Sequence, residues 1–128
     1  KKKAGDYIAV QAFVNPSADN RKELKALCVT LQQRLGAATT FGFGPRYLHS
    51  TGQLHKGGPN TVLVLQIVDQ PLEKLPAPET NYTFDALIEA QGLGDYVALK
   101  QRRRRVLRVN LGRDTVSGLR ALVETLRV

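Results

Sequence analysis

Thr61 to Val68, TVLVLQIV, decides the fold. Its apolar run is almost unbroken and rich in β-branched residues. Such a run suits a strand covered on both faces, at the centre of a sheet, rather than one with a wet side. Tyr7 to Val14, YIAVQAFV, reads the same way, and Asn15-Pro16-Ser17 ends it. Between these two runs, Leu24, Leu27, Cys28, Leu31 and Leu35 recur at helical spacing and form one apolar stripe. Asn20 stands three residues before Glu23, a capping-box pattern, and Gly36 is a helix stop. Ala37 to Phe41 is expected to form a short second strand.

On the C-terminal side of TVLVLQIV, Asp69 to Asn81 holds Pro71, Pro76 and Pro78 and reads as an extended surface connection. Thr83 or Asp85 can start a helix carrying Phe84, Leu87 and Ile88, which Gly92 and Gly94 are expected to interrupt. Asp95 can cap a second piece, Tyr96 to Arg105. Val106 to Leu111 reads as a strand. Gly112 turns, Asp114 caps, and Val116, Leu119, Leu122, Val123 and Leu126 predict a closing helix. Strands alternating with helices predict an α/β fold, a three-layer sandwich with a mostly parallel sheet, in one domain over residues 1–128.

The chain has 128 residues, 42% apolar and 23% charged, which is one globular domain's worth of core. The single cysteine, Cys28, excludes a disulfide framework and a Cys-rich zinc site. No apolar run approaches the roughly 20 residues of a membrane span, so no membrane partner is expected. The expected compartment is the reducing cytoplasm. The chain contains no Met, and we expect it to be part of a longer protein.

The formal charge is +8, yet it is concentrated in Lys1 to Lys3 and Arg102 to Arg105. Outside those runs, 12 basic residues face 11 acidic ones. No stripe of Lys/Arg interleaved with aromatics is present, so a nucleic-acid platform is not expected. Arg102 to Arg105 reads as the solvated C-terminal end of a helix.

The chemistry-bearing segment is Phe41 to Thr61, FGFGPRYLHSTGQLHKGGPNT. Gly42 to Asn60 holds five Gly and two Pro and is long for a plain connection, as functional loops are. It gathers Arg46, His49, Ser50, Thr51, Gln53, His55, Lys56 and Asn60. Hydroxyls, amides and cations on a glycine-rich loop suit an anionic, hydroxylated ligand such as a sugar phosphate. Ligands of α/β sheets favour the carboxyl ends of the strands. No GK[ST] closes Gly57-Gly58-Pro59, so this is not a P-loop, and no GxSxG surrounds Ser50. His49 and His55 lie six apart without an intervening Cys or carboxylate, and no metal site is expected. Structurally, the same glycines also suit a tight connection with histidines bonded to backbone.

FGFGPRYLHSTGQLHKGGPNT closely resembles a segment near the C-terminus of the bacterial fused transaldolase/phosphoglucose isomerases and of related long bacterial glucose-6-phosphate isomerases. GDYIAVQAFVNP and YTFDALIEAQGLGDYVALKQRRRRVLRVNLG resemble the flanking parts, so the likeness runs from about Gly5 to the end. It implies a sugar-isomerase (SIS)-like α/β domain and the interconversion of glucose 6-phosphate and fructose 6-phosphate through a cis-enediol. No cofactor is implied. The implied partners are the sugar-phosphate substrate and the remaining domains of a homo-oligomeric parent enzyme. Lys56 corresponds by position in the fold to the family's lysine that assists ring opening, and His55, grouped with it as catalytic, would sit with Gln53 beside the sugar hydroxyls. Arg46, His49, Ser50, Thr51, Gln53 and Asn60 would bind the substrate. GQLHK is shorter than the family's usual GVELGK. Glu23, Glu73, Glu79, Glu89 and Glu124 read as surface, so the proton-moving glutamate is expected elsewhere in the parent. A non-catalytic sugar-phosphate-binding or docking module of that parent is the alternative expectation.

Overall fold

The computed structural model describes residues 1–70 and 74–128. In chain order the elements are β1 (Tyr7–Phe13), α1 (Ala18–Leu35), β2 (Thr39–Phe43), α2 (Thr51–Gly57), β3 (Val62–Val68), α3 (Phe84–Gln101), β4 (Arg105–Asn110) and α4 (Thr115–Arg127). The four strands form one sheet in the order β2-β1-β3-β4, with every pairing parallel. The two apolar runs of the sequence are its two inner strands. The chain leaves β1 toward β2 and then returns past it to β3, so the connections diverge between β1 and β3.

Strand alternation divides the side chains between two faces. Ile8, Val10, Ala12, Leu65 and Ile67 pack on Leu24, Leu27, Cys28 and Leu31 of α1 and on Leu119 and Val123 of α4. Ala9, Val62 and Val64 meet Leu99 of α3 on the opposite face. Phe13 and Val68 meet Tyr47 there, with Leu48 and Ile88 packed against them. The result is a three-layer α/β sandwich. Leu24, Leu27, Ile67, Leu99 and Leu119 are fully buried, each worth roughly 1.5–3 kcal/mol by transfer.

Local signals explain most boundaries. Ser17 caps α1 by accepting from Asn20 N at 3.2 Å, and Gly36 closes it in the left-handed region at φ 56°. Thr83 Oγ1 accepts from Ala86 N, and Asp114 from Ser117 N, at the starts of α3 and α4. Several expectations are corrected. Asn20 lies inside α1 rather than at its cap, and its amide reaches back to Asn15 O at 2.9 Å. The second strand begins at Thr39 and continues through Gly42 to Phe43. The segment 42–60 is not one loop, because α2 occupies its second half.

Gly92 and Gly94 do not interrupt α3, which runs unbroken from Phe84 to Gln101. A Cβ on Gly92 would meet the Phe13 ring at 3.2 Å, so this glycine permits close packing rather than a break. Asp95 is therefore not a cap but a buried mid-helix residue. The connection before α3 folds back on itself, with Ala77 N donating to Tyr82 O at 3.1 Å and Phe84 N to Leu75 O at 2.8 Å. Pro71 and Glu73, read from sequence as part of it, lie outside the described residues.

The basic runs are also more than solvated ends. Lys2 Nζ donates to the carbonyls of Leu35 and Gly36, the end of α1. Arg105 belongs to β4 and grips Asp6 with two bonds of 2.6 and 2.7 Å. The Arg105 side-chain bonds, with a backbone bond from Lys3, bring the Asp6 carboxyl down to about 2. No helix among the described residues is long and apolar enough to cross a membrane.

Candidate functional site

On the face covered by α2 and α3, the apolar surface of the sheet is crossed by a polar row. Gln11 of β1 stands opposite Gln66 of β3, and Gln66 opposite Arg108 of β4. Arg108 Nη1 donates to Gln66 Oε1 at 3.1 Å, and its guanidinium lies 5.8 Å from the Tyr96 ring centroid. Gln66 Nε2 donates to Gly92 O at 3.1 Å and reaches Gln11 Oε1 at 3.5 Å. Gln11 Nε2 lies 3.0 Å from His55 Nδ1. An amide nitrogen only donates, so Nδ1 accepts and the imidazole carries its proton on Nε2. These buried amides are thus satisfied by one another, as buried polar groups must be.

His55 is neutral for a physical reason. Burial pushes its pKa below the usual 6.5, the nearby Asp95 opposes that shift, and Lys56 adds to it. Asp95 completes a second cluster. Tyr47 Oη donates to Asp95 Oδ2 at 3.1 Å, and Lys56 Nζ lies 3.1 Å from Asp95 Oδ1 as an ion pair outside hydrogen-bond alignment. Burial, reinforced by the Asp95 carboxylate, drives the Tyr47 phenol far above its ordinary value, so it acts only as a donor.

Helix α2 is held in place by its neighbours. A Cβ on Gly52 would meet Tyr47 O at 2.9 Å, so only glycine lets the helix begin against Tyr47. At the other end, Arg104 Nε donates to His55 O at 3.0 Å, and its Nη2 to Lys56 O at 2.8 Å and Gly58 O at 2.7 Å. Arg104 is the helix's C-terminal anchor, a cation where the backbone carbonyls are left open.

The sequence-derived residues separate into three groups. His55 and Lys56 come together in the polar cluster, and Thr51 lines a cleft of about 170 Å³ with Tyr7, Gln11, Gly42 and His55. That volume is below the roughly 300–1,000 Å³ of small-molecule pockets, so the cleft is one part of a site at most. Ser50, Gln53 and Asn60 bond to backbone: Ser50 Oγ to Tyr47 O, Gln53 Nε2 to Leu48 O and Asn60 Nδ2 to Arg103 O. His49 and Arg46 are exposed. Asn60 precedes β3 and lies at the amino edge of the sheet, whereas Arg46 follows β2 at the carboxyl edge.

Arg46 borders a larger groove, about 760 Å³, at the carboxyl edge. Its lining includes Phe13, Phe43 and Ile88, with Asn15 and Asp69 just beyond the ends of β1 and β3 and Asn110 as the last residue of β4. Thr115 Oγ1 donates to Asp69 Oδ2 at 2.6 Å. Burial raises the Asp69 pKa, while the Thr115 bond pulls it down. Among the described residues no group of three or more His, Cys, Asp or Glu could hold a metal ion.

Sequence reading missed Asp95, Tyr47 and the Gln11–Gln66–Arg108 row. One signal was available. YIAVQAFV and TVLVLQIV each contain a single glutamine in an otherwise apolar run, and a polar residue inside a buried strand needs a partner.

No family model and no curated protein matches this chain. A solved structure does. The crystal structure of a hypothetical protein, TT0462, from Thermus thermophilus is similar over 94% of this chain, with a TM-score of 0.75 and 18% identity. This chain spans 34% of that protein, about a third of its length. At that identity the likeness shows a shared α/β fold.

Proposed function

We propose that this chain is the C-terminal, SIS-like domain of a bacterial glucose-6-phosphate isomerase, of the type fused to transaldolase. In the parent it contributes His55 and Lys56 to a sugar-phosphate site. One observation carries this reading. The two residues singled out by the GQLHK stretch are neighbours at the end of α2, His55 bonded into the buried glutamine row and Lys56 paired with buried Asp95, which sets a neutral imidazole beside a cationic amine. A neutral histidine can pass a proton to or from a ring oxygen, and an ammonium can stabilise developing negative charge on oxygen. Those are the two demands of opening a hexose ring. The base that moves a proton between carbons would come from the remaining domains, since among the described residues no glutamate joins His55 and Lys56.

A second reading keeps a specific observation on its side. Ser50, Gln53 and Asn60 each donate to a backbone carbonyl, which gives them structural roles and suits a non-catalytic module, sugar-phosphate-binding or docking, better than contact with a reacting sugar. Lys56→Ala in the full-length isomerase separates the two. A fall in kcat of a hundredfold or more with an unchanged melting temperature supports the catalytic share. A change confined to affinity or assembly supports the module. A titration of the domain with fructose 6-phosphate, followed by NMR, then shows whether His49, Thr51, His55 and Lys56 shift together or only in the presence of the other domains.

A further inference from the structure

We infer that Asp95, clamped by Tyr47, is the positioning residue for Lys56. The inference rests on the isomerase reading of Lys56, and it adds two residues which that reading does not contain.

Asp95 sits in the middle of α3 with its side chain 2% exposed. A carboxylate there is costly, and an apolar side chain of similar size would fill a helix-to-sheet contact at no such cost. Asp95 is nonetheless held from two directions by groups distant in sequence. Tyr47, between β2 and α2, donates its hydroxyl to Oδ2, and Lys56, at the end of α2, brings its ammonium to Oδ1. The Tyr47 bond fixes the carboxylate's rotation. With that rotation fixed, Oδ1 is left to Lys56 Nζ, 3.1 Å away.

The Lys56 side chain is 18% exposed against 2% for Asp95, so the pair is asymmetric. The carboxylate is sealed inside and the ammonium lies at the surface end. An ammonium has three donors. Asp95 Oδ1 engages it as an ion pair outside hydrogen-bond alignment. A lysine on a four-carbon stem otherwise samples many rotamers, and holding it in one costs side-chain entropy. The Tyr47–Asp95 pair restrains it before a ligand arrives, which is how a supporting residue raises turnover. Among the described residues His55 and Tyr47 act on this pair, and burial lowers the His55 pKa so that it stays neutral; Arg102 and Arg104 reach the Lys56 backbone carbonyl.

The test has two readouts on Asp95→Asn, with Tyr47→Phe as the milder variant that keeps core volume. The first is the acylation of Lys56 in the domain by acetic anhydride, measured against the other lysines by mass spectrometry. The second is kcat and KM of the full-length isomerase. We expect Lys56 acylation to rise at least fivefold in Asp95→Asn and about twofold in Tyr47→Phe. We expect kcat to fall at least tenfold in Asp95→Asn with KM within threefold, and Asp95→Glu to recover part of it. Unchanged acylation in both variants overturns the inference, whatever turnover does. Raised acylation with full turnover, while Lys56→Ala loses turnover, overturns the positioning role and leaves the isomerase reading standing. Full turnover in Lys56→Ala overturns the catalytic reading of Lys56, and the positioning role with it.

Discussion

Arg104, the first residue after a left-handed turn at Arg103, reaches across to α2 and binds the carbonyls of His55, Lys56 and Gly58 with one guanidinium. Two segments more than forty residues apart are thereby joined, and the joint falls on the backbone of both candidate catalytic residues. Arg102 Nη1 adds a longer bond of 3.3 Å to Lys56 O. A run of four arginines that looks like surface charge in the sequence is, in part, the fastening of the site.

Arg104→Ala is therefore expected to lower stability by about 2 kcal/mol, the scale of hydrogen bonds from a charged donor that is partly buried. The loss should be local as well as global. Amide exchange at Leu54 to Gly57 should quicken more than at Leu24 to Leu31 in the core of α1. Arg104→Lys should recover only part, because an ammonium cannot span three acceptors in a planar fork. Urea unfolding with hydrogen exchange on the same variants checks both statements.

His55 makes the fold sensitive to acid. Its folded pKa lies below 6.5, with burial as the main cause. Between the folded and unfolded values the unfolded chain binds more protons, so stability falls as pH falls through this window. The contribution is complete above 6.5 and is lost as pH drops toward the folded value. The melting temperature of the wild type should decline on acidification below 6.5, and the decline should be shallower in His55→Gln. The His55 imidazole resonances should titrate below 6.5, and a value above it would contradict the burial account.

The two glycines of α3 should behave oppositely. Gly94 has open space where a Cβ would stand, so Gly94→Ala should stabilise by up to about 1 kcal/mol through helix propensity and the unfolded chain. At Gly92 the same Cβ would meet the Phe13 ring at 3.2 Å, and Phe13 is only 3% exposed and packed edge-on against Tyr47. Gly92→Ala should fall short of Gly94→Ala by at least about 1 kcal/mol, the low end of overpacking costs. Its carbonyl also accepts from Gln66, so the polar row should be disturbed along with the packing. Chemical denaturation of the two variants gives the comparison directly.

The misreadings share a cause. Gly92 and Gly94 looked like a break because propensity is local, while Phe13 against Gly92, and Ala9, Val62 and Val64 against Leu99, hold the helix to the sheet from outside. Helix α2 was invisible because seven residues are too few to nucleate alone. It exists through Tyr47 at one end and Arg104 at the other, and neither is written into its own sequence. Asp95 looked like a cap because an Asp after Gly usually is one, and its partners are 48 and 39 positions away.

By itself the sequence determined the layer architecture. The largely apolar strands Tyr7 to Phe13 and Val62 to Val68 call for cover on both faces of a sheet, and the apolar stripes of the first and last helices supply that cover on one of them. It also marked GQLHK as the segment to watch. Tertiary structure decided the rest. It chose which neighbours each polar residue met, turning Gln11, Gln66 and Arg108 into one row and bringing Asp95 beneath Lys56. Hydrophobic burial depends on a residue's own type and can be read along the chain. A buried polar group is decided by its partner, and the partner is supplied by the fold.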